Sequence, residues 1–161
     1  MPDPTFIVMF ILRWIHFIGG VTWIGSLFYL RFVALPSQKT HDPHLSMSSV
    51  SRLSTLLVVS SISGVTAGVS MALILSGLNS GVFTSTDWGI AIVIGAFFAL
   101  LLLMATFVGV IPALEQLSEI SGESSLKDSL RRRGELWLNV AIVLGVSVLL
   151  AMAYAGSIVG F

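Results

Sequence analysis

Four long apolar runs decide most of what this chain can become. They cover about residues 5–33, 53–78, 88–113 and 135–160. A hydrocarbon layer of ~30 Å is crossed by roughly 20 residues of helix, and every run is longer than that. In lipid the backbone must satisfy its own hydrogen bonds, which leaves helices or closed barrels. Barrel strands alternate apolar and polar residues, and that pattern is absent here. The chain therefore reads as all-α, one transmembrane domain built as a four-helix bundle. Composition agrees: the sequence is 55% hydrophobic and 10% charged, where soluble domains carry about 25% charged residues. The first run is the longest, so a tilt or a protruding end is expected there.

Lys+Arg and Asp+Glu number 8 each, so net charge gives no reason to expect a nucleic-acid partner. Placement says more. Arg31, Lys39 and Arg52 lie at or within the first connection, and Lys127, Arg131, Arg132 and Arg133 lie in the third. The amino terminus, the second connection and the carboxyl end hold no Lys or Arg. Basic residues stay on the cytoplasmic side, so both termini are expected on the outer, periplasmic face of a bacterial inner membrane. Trp88 and Trp137 fall at span ends, where interfacial tryptophans belong. The opening "MPDPT" lacks the basic region of a signal peptide, so the first run is expected to be a retained helix. Absence of cysteine excludes disulfides, thiolate metal sites and covalently attached c-type haem. Residues 115–133 fit either a short interfacial helix or an extension of the third span followed by a loop. The run Arg131–Arg133 is read as a topology anchor, and no internal repeat stands out.

The segment "RWIHFIGGVTWIG", residues 13–25, places an arginine and a histidine inside an apolar helix. From a start near Thr5, His16 lies about 16 Å down the axis, close to the bilayer midplane. Ionisable residues at such depth are costly and count as functional candidates. Arg13 stands one turn nearer the outside on the same face. Its stem allows snorkelling to the outer headgroups. Below His16 the same face carries Gly20, Trp23 and Leu27. Glycine in a membrane helix admits a second backbone or a flat ligand. Two readings follow. In one, His16 is an axial ligand of a b-type haem, with Arg13 pairing a propionate. In the other, His16 hydrogen-bonds to a neighbouring helix and the glycines serve close packing.

His41 and His44, in "THDPHLS", lie in the first connection and cannot reach His16, so a second axial ligand would be a methionine or a second protomer. Met71 and Met152 lie a few residues outward of their span centres, as His16 does, whereas Met104 lies inward. Each is a candidate, although methionines in helices usually pack. Ser60, Gly64 and Gly68 form a small-residue stripe in span two that marks close contact, against Gly19–Gly20 or against another subunit. Asn139 is expected to be a buried residue making an interhelical hydrogen bond. The pair His41 and His44 is read as solvated loop rather than a metal site.

These residues carry a resemblance. "RWIHFIGGVTWIGSLFYLRFVALP" resembles the first helix of the urate oxidase N-terminal-type membrane domain, found in cytochrome c-fused urate hydroxylases and in short stand-alone relatives. Arg13, Trp14, His16, Gly20, Trp23, Ile24, Gly25, Phe28, Tyr29 and Pro36 match it. Met104, Ile111 and Pro112 match loosely in span three, Asn139 matches in span four, and span two shows no match. More distantly the first helix is similar to the buried-histidine helix of copper-resistance D proteins and HemJ-type protoporphyrinogen oxidases. The resemblance implies b-type haem or copper chemistry at His16. It does not imply urate oxidation, because no cytochrome c attachment site is present.

Three functions are expected in descending order. The first is a haem b electron carrier in the inner membrane, exchanging electrons between quinone or a periplasmic cytochrome and a partner. The second is a non-catalytic accessory subunit of a larger membrane complex or homo-oligomer. The third is copper or small-solute transport, which lacks a paired acid and base or a broken helix. No general base other than His16 sits at depth, so a stand-alone enzyme is not expected.

Overall fold

The computed structural model describes residues 3–37, 47–77, 79, 81–119 and 124–159. No strand occurs among the described residues. Four helices are long and apolar enough to span a membrane: Pro4–Ala34, Arg52–Leu75, Asp87–Leu117 and Asp128–Ile158. They are spans one to four below. Their apolar surface makes a lipid bilayer the natural environment of a multi-pass protein.

Local chemistry sets the ends. Asp3 caps span one, its carboxylate accepting from the Thr5 amide at 3.0 Å, with Pro4 at the first turn, where a missing N–H costs nothing. Thr86 caps span three by accepting from the Gly89 amide at 3.0 Å. Gly77 ends span two in the left-handed region, at φ +58°, as helix-terminating glycines do. A single turn, Val82–Ser85, then leads into span three.

Spans one and three each widen into a π-helical turn, Leu30–Ala34 and Ala105–Val110. The Leu35 amide reaches back to the Leu30 carbonyl, and the Ile111 amide to the Thr106 carbonyl. A proline stands just beyond each turn, Pro36 and Pro112. A proline ring crowds the carbonyl four residues earlier. For these two that carbonyl belongs to Phe32 and Val108, inside the widened turn. The π turn is the adjustment that lets the helix pass the proline.

Spans one and two form one hairpin and spans three and four another, each packed chiefly within itself. Within the first hairpin Gly19 meets Gly64 so closely that a methyl on Gly19 would stand 2.8 Å from the Gly64 amide nitrogen. Hence the Ser60–Gly64–Gly68 stripe packs on the notch of span one. Within the second hairpin, a methyl on Gly109 would overlap the Trp137 indole, and Gly95 faces Ala151. The hairpins join through a core of large side chains: Leu27, Leu30, Leu35, Leu57, Leu102, Val110 and Leu138 are all at most 1% exposed. Those residues lie toward the end of the bundle that carries Arg31, Arg52 and Arg131–Arg133, called here the basic end. Several serine hydroxyls within the spans bond to carbonyls one turn back, such as Ser60 to Leu56 at 2.6 Å and Ser26 to Thr22 at 2.7 Å. That satisfies them without water, whereas the buried Ser54 hydroxyl has no partner among the described residues.

Span four begins earlier than hydropathy alone suggests. Span three continues as helix through Ile111–Glu119, one of the two alternatives expected, and helix resumes at Ser124, where that alternative expected a loop. His41, His44 and Lys39 lie outside the described residues.

Candidate functional site

His16 is half-buried, and its Nδ1 lies 2.7 Å from the Gly64 carbonyl oxygen. A carbonyl can only accept, so Nδ1 carries the proton and donates. In the neutral ring Nε2 then keeps its lone pair. The position follows from sequence in two steps. Gly19 lets span two approach, and Gly68 lacks the side chain that would stop the ring. A methyl on Gly68 would stand 2.7 Å from His16 Cε1 and 2.8 Å from Nδ1. The room that glycine makes on span two is therefore filled by the imidazole itself. Gly20 is different: a methyl there would meet nothing within 4 Å.

One turn below Gly20, Trp23 is 4% exposed and its indole donates to Thr106 Oγ1 at 3.2 Å. The Thr106 hydroxyl donates in turn to the Leu102 carbonyl at 2.8 Å. The indole–hydroxyl bond crosses between the hairpins and closes the seam at that depth. Ile24 lies against Gly145 of span four, closing it on the other side. Above this floor His16, Gly20, Ala99, Val148 and Met152 are each only partly buried.

Register sorts the methionines. Spans one and four run antiparallel, with Ile24 opposite Gly145. Eight residues from Ile24 away from the basic end is His16, and seven from Gly145 in the same direction is Met152. Seven residues return a helix to nearly the same face, so Met152 shares Gly145's face at the depth of His16. Met71 continues the Gly64–Gly68 face one turn further from the basic end, level with Arg13, beside His16 rather than opposite it. Met104 is 57% exposed, on the lipid side and away from the seam. Arg13 is exposed, one turn from His16 on the side away from the basic end.

Asn139 makes the expected interhelical bond but at an exposed position: Arg31 Nε donates to its Oδ1 at 2.8 Å. Among the described residues no group of three His, Cys, Asp or Glu side chains converges to hold a metal ion. Thr106 is the residue that sequence reasoning missed. Its signal was a lone hydroxyl in the apolar run "LLLMATFVGV", since a buried hydroxyl in lipid needs a partner. No protein-family model, curated protein or solved structure matches the chain.

Proposed function

We propose that this chain is a multi-pass subunit that carries one b-type haem beside His16 in the inter-hairpin seam, as an electron carrier of the bacterial inner membrane. The observation that carries the reading is the His16–Gly64 hydrogen bond. Imidazoles that ligate metals commonly donate their second N–H to a carbonyl or carboxylate, which fixes the tautomer and raises ligand basicity. His16 has that arrangement near the midplane of an apolar bundle. A haem would supply one-electron exchange; the protein would supply the axial donors, the low dielectric and the enclosure.

The residues fit such a group on one condition. By register His16 Nε2 and the Met152 thioether would be a donor pair at one depth, and Gly20 has open space beside it. His16 and Met152 are only partly buried, so a lipid or a neighbouring subunit would complete the enclosure. Trp23 and Thr106, already bonded to each other, form the floor. Arg13 lies one turn outward of His16, suited to a carboxylate at the rim. With basic residues cytoplasmic, the site lies slightly to the periplasmic side, which favours quinone or a periplasmic cytochrome as the exchanging partner.

The test is a reduced-minus-oxidised spectrum of the protein purified in mild detergent. A b-type α-band is expected, lost in His16→Ala and shifted or weakened in Met152→Ala. The partial burial of His16 and Met152 and the exposed aromatic row Phe10, Trp14 and Phe17 favour a second reading, an accessory subunit completed by another membrane protein. A folded but colourless sample, after expression with ample haem, would leave only that reading.

A further inference from the structure

Arg31 sits where span one leaves the apolar layer, in its π turn. Its Nε–H donates to Asn139 Oδ1 at 2.8 Å, and its guanidinium carbon stands 5.8 Å from the Phe32 ring centroid. Two consequences follow from donor chemistry alone. Nε only donates, so the amide oxygen of Asn139 must face it and the amide NH2 must face away. With Nε occupied, the guanidinium keeps its end-on fork, Nη1 and Nη2, for another acceptor. Asn139 thus holds Arg31 in place from another span while the end of the guanidinium keeps its own N–H donors.

A carboxylate would be the obvious partner, and the nearest in register is Glu135, one turn from Asn139. Glu135 is already held by Arg131 at 3.1 Å. Among the described residues no carboxylate pairs with Arg31. The guanidinium is therefore oriented by Asn139 and half-buried, with its terminal N–H groups left to meet an acceptor. Such a place binds an oxyanion.

We infer that the Arg31–Asn139 pair is a binding site for the phosphate group of an anionic phospholipid at the basic end of the bundle. A lipid headgroup is favoured over a free anion because the pair lies at the edge of the apolar spans, with Phe32 and Val33 exposed beside it as a surface for an acyl chain. Basic pockets between transmembrane helices bind anionic headgroups in this way. The inference is independent of any group at His16.

The test is native mass spectrometry of the intact protein in detergent, titrated with phosphatidylglycerol, phosphatidylcholine and inorganic phosphate. Phosphatidylglycerol is expected to bind more tightly than phosphatidylcholine. Arg31→Ala should weaken it about fivefold, the scale of one basic residue at an anionic surface. Arg133→Ala, on the exposed basic run, should change it by less than about twofold. Asn139→Asp is the sharper variant: it keeps an acceptor for Nε, so the fold is retained, but sets a negative charge beside the phosphate. It should abolish the preference for phosphatidylglycerol. Equal losses for Arg31→Ala and Arg133→Ala would mean a diffuse basic belt and overturn the site. Arg31-dependent binding of inorganic phosphate with no preference between the two lipids would overturn the lipid assignment.

Discussion

Along the bilayer normal the two halves of the bundle are packed by different means. Toward the basic end, leucines from all four spans interlock, and Leu27, Leu30, Leu57 and Leu102 are fully buried. Toward the other end, the buried positions are small, such as Gly19, Ala67, Ala91 and Ala155, and Gly19 and Gly95 there pack against their hairpin partners. Lipid tails are as apolar as leucine, so large side chains help only where they fit another surface closely. The interlocked half thus holds the hairpins together. The other half keeps each hairpin intact, and there His16 stands against Gly64 and Gly68 of its own hairpin.

This contrast can be broken most directly at Leu27. Leu27→Ala should cost about 2–5 kcal/mol, the range for core leucines, measured by denaturant unfolding in mixed micelles. An equal loss for Leu150→Ala, which is 66% exposed and expected to cost less than about 0.5 kcal/mol, would remove the distinction between the halves. Gly19→Val tests the other seam. Its side chain would meet the span-two backbone, at a cost of about 1–3 kcal/mol, and it should also break the His16–Gly64 bond. Thr106→Val, which removes the acceptor for Trp23, is expected to cost about 0.6 kcal/mol, typical of a hydrogen bond inside a membrane protein. A shift in tryptophan emission would check that the indole has lost its partner. The smallest effect is Arg131→Ala, about 0.3–0.5 kcal/mol for an i,i+4 ion pair, since that contact lies outside both seams.

The division into spans was legible from hydropathy because length and apolarity are local properties. The contact of the Gly64 stripe with Gly19–Gly20 was legible as one of two alternatives, since a small-residue stripe announces close approach without naming the partner. The second alternative for His16, a bond to a neighbouring helix, is present in the structure, and it leaves Nε2 available for the first. What sequence did not disclose was register between hairpins. Met152 and Met71 are equivalent by depth, and only the Ile24–Gly145 contact separates them. The π turns were also hidden: Pro36 and Pro112 signal a disturbed helix, but whether it kinks, breaks or widens depends on what packs around it. The apolar run around Asn139 suggests burial, whereas the bond from Arg31 satisfies it at the surface.

The nearly touching backbones of Gly19 and Gly64 bear on the order of assembly. Every contact of that seam lies within the first half of the chain, so a nascent protein emerging from the ribosome can zip its first hairpin before the third helix has been synthesised. The Trp23 indole must then wait, its N–H without an acceptor in the oily phase, until Thr106 arrives. That interval is when a chaperone or insertase would have most to grip, and when a stalled or truncated product would be most exposed to quality-control proteolysis.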